Sequence, residues 1–344
     1  MDASIIVTYR CPMRCKMCNI WDNPTKVSEE FKPELLEKLP KVDTVNITGG
    51  EPFVREDIED IVKILFTKTK RIVFSTSGYY SDRIIQLARK YPQLGFRISI
   101  EGLSCKNDEL RGRPGGFDKG LKTLLELRRM GVKDIGFGIT VSNNNSSDML
   151  QLYELNRNLK MEFATASFHN SFYFHKYDNK VTNIDEVCGN FDELIQRLMN
   201  EKHPKSWFRA FFNLGLINYV KGGRRMLPCE AGTENFFIDP YGNVLPCNGM
   251  EESCWFDTMG NLHDVEDFMT LWTGAKAKAV RDKVANCPKS CWMIGSASPV
   301  MKKYITEVAP WVLKNKLKVM RGGRVDTTCI PFFHVGNNDK QGLR

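Results

Sequence analysis

The chain has 344 residues, 42% of them hydrophobic and 26% charged, with a formal net charge of +8 and a pI near 8.8. That apolar content suffices for one large domain with a smaller one beside it and excludes a disordered or fibrous chain. No run approaches bilayer-spanning length, and Met1 to Arg10 lack the basic leader of a signal peptide, so eleven cysteines point to metal ligation in a reducing, cytoplasmic compartment.

The first predicted strand, Ser4 to Tyr9, runs directly into Cys11, Cys15 and Cys18. A cubane cluster normally takes four cysteine ligands, so three without a near fourth leave one metal position open to another molecule. A closed zinc site would also want a fourth protein ligand; a structural knuckle or three reduced thiols are the alternatives. A helical pattern at Lys32 to Lys38 precedes a strand at Thr44 to Thr48, followed by Gly49-Gly50-Glu51-Pro52. Glycines there would let the backbone approach a ligand closely, or simply form a turn and helix start. Helices then follow at Asp57 to Thr67, Asp82 to Lys90, Phe117 to Met130 and Asp148 to Leu159. They alternate with strands at Arg71 to Thr76, Gly95 to Ile100, Asp134 to Val141 and Glu162 to Ala166. This alternation predicts an α/β fold, a parallel sheet with outer helices that right-handed crossovers curl toward a partial barrel.

Beyond the barrel, Phe168 to Tyr177 is dense in aromatics and suits either stacking of a substrate ring or interdomain core. Arg224 and Arg225 are candidates for holding a phosphate or carboxylate. A second cysteine set comprises Cys229, Cys247, Cys287 and Cys291; a tight turn at Asp239 to Asn243 between strands Phe236 to Ile238 and Val244 to Leu245 brings the first two together. Four-cysteine zinc is one reading of this set. Cys254, just past the hairpin, is either a buried free thiol or a hydrogen donor. Met301 to Arg324 forms a basic amphipathic helix that packs on its own domain or lies on a membrane surface.

C-x3-C-x2-C after the first strand and G-G-E-P after the second together resemble the radical S-adenosylmethionine (SAM) enzymes. The resemblance implies a partial (β/α)6 TIM-like barrel whose [4Fe-4S] cluster, on Cys11, Cys15 and Cys18, is completed by SAM. It assigns Gly49, Gly50, Glu51 and Pro52 to the SAM amino group, Ser99 and Glu101 to its ribose or carboxylate, Ile139 and Asn143 to its adenine, and Arg111 or Arg113 to SAM or substrate. The second cysteine set resembles the SPASM and twitch extensions. With four cysteines in place of seven, it implies a twitch-type domain with one closed auxiliary [4Fe-4S] cluster on Cys229, Cys247, Cys287 and Cys291, suited to electron transfer.

The expected organisation is a core at 1–215, an auxiliary domain at 216–300 and a basic helix and tail at 301–344. The expected activity is reductive cleavage of SAM to a 5'-deoxyadenosyl radical and dehydrogenation of a small polar substrate of sugar, cyclitol or nucleotide-sugar type. The alternatives are epimerisation with Cys254 as hydrogen donor and peptide modification, the latter less expected of a chain that begins at its first barrel strand. A low-potential donor such as flavodoxin or ferredoxin is the expected partner, and nucleic acid is not.

Overall fold

The structure is a computed structural model and describes residues 1–251 and 256–333. Six parallel strands, β1 (Asp2–Ile6), β2 (Thr44–Thr48), β3 (Ile72–Thr76), β4 (Gly95–Ser99), β5 (Ile135–Val141) and β6 (Glu162–Ser167), form the curled sheet. Helices α1 (Ile58–Phe66), α2 (Ser81–Lys90), α3 (Ser104–Arg111), α4 (Gly116–Arg129) and α5 (Ser146–Asn158) lie in the crossovers, where the predicted 32–38 helix is a 3-10 turn over Pro33–Lys38. Two long helices, α6 (Ile184–Asn200) and α7 (Pro204–Val220), follow β6. The chain then returns as β7 (Asn235–Ile238), parallel to β1, and turns through β8 (Asn243–Leu245) and β9 (Gly260–Asn261). The nine strands form one sheet, ordered β6-β5-β4-β3-β2-β1-β7-β8-β9. Helices α8 (Phe268–Thr273), α9 (Ala275–Ala285), α10 (Ile294–Lys303) and α11 (Ile305–Met320) complete the described chain.

Period-two alternation decides what lies on each face of the curl. Ile5, Ile47, Phe74, Phe96 and Phe137 are fully buried in the layer between strands and helices. Their neighbours Ser4, Asn46, Ser75, Ser99 and Gly138 line a lumen of about 940 Å³, closed along its open side by Phe208 and Phe212 of α7 and Ile294, Ser298 and Met301 of α10. At the amino ends of the strands the lumen has a floor of ion pairs. Asp134 meets Arg71 (2.9 Å) and Arg97, and Glu162 meets Lys205 (2.9 Å) and Arg209. Burial alone would raise both carboxyls, yet these cations hold them below their ordinary range.

Because β7 extends the barrel sheet, and α7 and α10 run across residues 215 and 300, the auxiliary hairpin grows out of the barrel without a linker. The basic helix α11 packs on the protein: Val308 and Val312 are buried, and Trp311 meets Phe211 edge-on at 5.2 Å. Among the described residues no helix is long and apolar enough to cross a membrane.

One close approach joins the two halves. A Cβ on Gly215 of α7 would stand 2.1 Å from the Trp292 indole, which is 1% exposed and donates from Nε1 to the Phe212 carbonyl (2.8 Å). Gly215→Val therefore displaces Trp292 from beside Cys291, with an expected destabilisation of about 1–3 kcal/mol in urea unfolding; an unchanged unfolding midpoint would contradict this packing.

Candidate active site

The cysteine loop leaves β1 at the carboxyl end of the sheet, and its shape is dictated by the loop after β2. Gly50 N–H donates to Thr8 O (2.7 Å) and Glu51 N–H to Arg10 O (2.9 Å). A Cβ on Gly49 would stand 2.4 Å from Thr8 O, and one on Gly50 2.3 Å from Arg10 O. These glycines are thus required by the cysteine loop's own backbone, where the sequence reading had assigned the close approach to a ligand. Glu51 is likewise committed internally. It is fully buried and accepts from Thr76 Oγ1 (2.7 Å), Phe53 N (3.2 Å), Ser77 N (2.8 Å) and Ser77 Oγ (2.5 Å), so its carboxylate joins the β2 and β3 loops and is not free for the SAM amino group. Pro52 is buried at the start of the short turn Pro52–Val54.

The far side of the cysteine loop rests on the end of α3. Arg14 N–H donates to Arg111 O and Lys16 N–H to Leu110 O, each at 2.9 Å. Arg111 turns its guanidinium inward, pairs with Glu101 (Nη1 to Oε1, 3.1 Å) and keeps a buried Nε without a protein partner. Glu101, 3% exposed, takes a second hydrogen bond from Thr140 N (2.7 Å); burial pushes its carboxyl up despite Arg111. Burial opposes the charge on Arg111 as well, yet Cys15, Glu101 and Cys11 hold it protonated.

Burial raises all three thiols, Cys18 to about 12, and Arg111 is the cation that pulls each of them back. Ligating thiols must be deprotonated, and in so dry a loop only a metal's charge can keep three thiolates. Together with the orphaned Arg111 Nε, this donor set fits an iron–sulfur cluster with an anionic ligand beside it. No three His, Cys, Asp or Glu side chains among the described residues are gathered tightly enough for a single ion; cluster ligands, each on its own iron, stand farther apart.

Ser99 and Ile139 line the upper lumen with Glu101 and Thr140. Asn143 does not join them. Its Oδ1 accepts from Thr182 N and Asn183 N (both 2.9 Å) and its Nδ2 donates to Lys180 O (3.2 Å), fastening the 180–183 segment in place of an adenine. Asn145, which sequence reasoning passed over, is fully buried and donates from Nδ2 to Glu101 O (2.8 Å) and Thr140 O (3.0 Å), fixing the β4 and β5 rims to each other. Its place in an ordinary Ser-Asn-Asn-Asn run carries no signal. Arg113 lies outside the Arg111–Glu101 pair, donating to Tyr79 OH (2.6 Å).

The aromatic segment after β6 lies between the two cysteine sets. Tyr173 donates to Gly49 O (3.1 Å), Asn19 N–H donates to Phe174 O (2.8 Å), and Phe172 N–H donates to Met250 O (2.9 Å). Ile6, Tyr9, Ile20, Tyr173, Phe237, Leu245 and Met250 form an apolar cluster against which both Cys18 and Cys247 pack. The hairpin sets Cys229 near Cys247, and Cys291 and Cys287 also lie close enough to act on the Cys247 thiol; burial raises Cys247, and raises Cys291 to about 11. Four cysteines within one another's electrostatic reach are a donor set that fits a closed cluster. Arg225 is not a ligand-binding residue. Its guanidinium holds the auxiliary loop through the carbonyls of Leu227 (3.0 Å), Cys291 and Ser296 (3.2 Å), while Arg224 stacks on Phe332. Cys254 lies outside the described residues.

Residues 5–155 match the radical SAM superfamily and residues 229–293 match SPASM, an iron–sulfur cluster-binding domain. The chain thus carries a radical SAM domain at its first cysteine set and a SPASM domain at its auxiliary cysteines, which implies SAM, a [4Fe-4S] cluster and auxiliary iron–sulfur as cofactors. Fe-coproporphyrin III synthase of Methanosarcina barkeri is 28% identical over 158 residues, 43% of this chain, which spans 39% of that relative. The sporulation killing factor maturation protein SkfB of Bacillus subtilis is 24% identical over 309 residues, 83% of this chain and 68% of the relative. In fold, native anSMEcpe with bound AdoMet and a peptide superposes with a TM-score of 0.61 at 13% identity, covering 94% of this chain and 99% of the other.

Two outcomes are expected at this site. Replacing Cys11, Cys15 and Cys18 together by Ala should cut the iron of anaerobically reconstituted protein from about eight atoms to about four and abolish SAM cleavage, checked by iron analysis and 5'-deoxyadenosine assay. The second concerns His169, 6% exposed and stacked on Tyr219 at 4.6 Å, with Lys289 and Arg225 adding to the burial that lowers it to about 4. The unfolded chain binds this proton between pH 6.5 and 4 while the folded one does not, so its contribution is complete above pH 6.5 and is lost on acidification toward 4, on the order of 3 kcal/mol at most. His169→Gln should flatten that part of the stability–pH curve.

Proposed function

We propose that this protein oxidises a polar substrate held in the barrel lumen: one hydrogen atom is removed beneath the SAM site, and the substrate then loses one electron to the four-cysteine domain and one proton to water, completing a two-electron dehydrogenation. The observation that carries this reading is the lumen itself, about 940 Å³ and walled by Ser4, Asn46, Ser75, Ser99, Thr140 and Thr165, with Glu101 at its upper rim. That volume suits a small-molecule site, and short hydroxyl and amide side chains suit a substrate rich in hydroxyls or amines.

When bound, SAM and the first cluster supply a 5'-deoxyadenosyl radical, chemistry that no side chain provides. The chain's own residues do the rest. Glu101, Arg111 and Asn145 hold the β4 and β5 rims at fixed spacing, and ion pairs around Asp134 and Glu162 line the lumen at the amino ends of the strands. Cys18 and Cys247, packed on one apolar cluster, put both cysteine sets within one rigid unit, which supports electron transfer to the auxiliary domain. A sugar, cyclitol or nucleotide-linked sugar is the substrate class of this proposal. A peptide is the second reading, favoured by the long alignment with a killing-factor maturation protein.

The test is turnover in deuterated water with SAM, reductant and a panel of polyols, aminocyclitols, nucleotide sugars and peptides. A product two electrons more oxidised and free of carbon-bound deuterium is expected. Cys291→Ala should retain 5'-deoxyadenosine formation and lose that product. Deuterium at an inverted carbon, abolished by Cys254→Ala, would replace dehydrogenation by epimerisation.

A further inference from the structure

Charge in the lumen is matched one to one except at the floor beneath β3 to β6. Glu101 at the rim pairs with Arg111 (3.1 Å), and Asp2 at the start of β1 pairs with Lys302 (3.2 Å). At the floor two carboxylates, Asp134 and Glu162, stand among five lining cations, Arg71, Arg97, Lys133, Lys205 and Arg209. Each carboxylate holds two of these cations, and Lys133 has no carboxylate partner among the described residues. The floor therefore carries an excess of three positive charges.

These groups share one field. Arg97 acts on Glu162 as well as on Asp134, and it stands close enough to Arg209 for the two guanidinium groups to repel. Burial, joined by that repulsion, lowers Arg209. Two partly desolvated cations of one sign are held together at a cost that an anion beside them removes. Donors are free for such an anion. Arg97 is fixed by Nη1 to the carbonyls of Phe96 (3.1 Å) and Asp134 (3.0 Å) and by Nη2 to the Asp134 carboxylate, whereas Arg209 engages Glu162 through Nη2 alone. A phosphate monoester, with two charges and three terminal oxygens, answers this excess and these forked donors better than a single carboxylate does.

Strand β4 measures how far the floor lies from the reacting end. Arg97, Ser99 and Glu101 succeed one another along the lumen side of this strand and its end, so Arg97 and Glu101 stand about 13 Å apart at the usual rise. A single sugar ring is shorter than that. A substrate that reacts at the rim touches the floor only through a group at its far end.

We infer that the floor at Arg97, Lys133, Lys205 and Arg209 binds the phosphate of a phosphorylated polyol, whose reacting carbon then lies toward Ser99 and Glu101. The inference rests on the reading of the lumen as the substrate chamber and narrows its substrate class. No bond forms or breaks at the floor, where these residues set how deep the substrate sits.

The test is isothermal titration calorimetry of anaerobically reconstituted full-length protein with SAM at fixed ionic strength, using inorganic phosphate, glucose 6-phosphate, glucose and glucuronate as probes. Glucose 6-phosphate should bind at least about tenfold more tightly than glucose or glucuronate. Lys133→Gln/Lys205→Gln removes two exposed cations while Arg209 still holds Glu162, and should weaken binding of both phosphates at least about fivefold. Arg209→Gln/Glu162→Gln removes a guanidinium together with its carboxylate at constant net charge, and should weaken it at least about tenfold. If the latter variant does not fold, the lysine variant decides alone. The inference is overturned if neither phosphate binds, if their binding survives the substitutions and so belongs to another basic surface, or if glucose or glucuronate binds as well as glucose 6-phosphate. Binding is read without turnover, so it stands if epimerisation replaces dehydrogenation. A dehydrogenated product obtained only from unphosphorylated substrates removes this inference and leaves dehydrogenation standing.

Discussion

Everything at the mouth of the barrel depends on the buried carboxylate of Glu51. A charge removed from water is tolerated only when its oxygens are satisfied, and here four donors from Phe53, Thr76 and Ser77 do so. They pin the loop after β2 to the end of β3. That pinned loop then presents the N–H groups of Gly50 and Glu51 to the carbonyls of Thr8 and Arg10, so the cysteine loop takes its course from a backbone already held on its other side. A second support works the same way from α3, where Arg111 offers its carbonyl to Arg14 and its guanidinium to Glu101. The thiols sit between two walls, and Arg111 on one of them favours their deprotonated form without offsetting their burial.

The same economy joins the two cysteine sets. The hydroxyl of Tyr173 bonds Gly49, its ring belongs to the apolar cluster touched by Cys18 and Cys247, and the backbone of Phe172 is bonded to Met250 beyond the hairpin. Because β7 pairs directly with β1, the auxiliary hairpin inherits its position from the barrel sheet. Trp292, wedged over Gly215, then fixes the last ligand loop to α7. Cys18 and Cys247 thus pack on one shared apolar cluster.

The lumen owes its character to a division of labour along each strand. Outward residues are large and apolar, inward ones mostly short and polar, and at the amino ends of the strands two carboxylates, Asp134 and Glu162, are paired with four cations, Arg71, Arg97, Lys205 and Arg209.

Strand identity, the parallel class of the sheet and both cysteine sets were legible in the sequence, because period-two alternation and ligand spacing are local properties of the chain. Five of the six barrel strands lie within two residues of their expected ends, and the first, expected at Ser4 to Tyr9, pairs instead over Asp2–Ile6, because Val7 onward is drawn into the cysteine loop. What the motif residues do was not local. Whether Gly49 and Gly50 face a ligand or a neighbouring backbone, whether Glu51 and Asn143 are free or already bonded, and whether Arg225 meets a substrate or a carbonyl all depend on segments tens to scores of residues away. Outside regular strands and helices, no spacing rule encodes the direction of a side chain. Those questions were decided only when burial forced each polar group to find its partner in the folded chain.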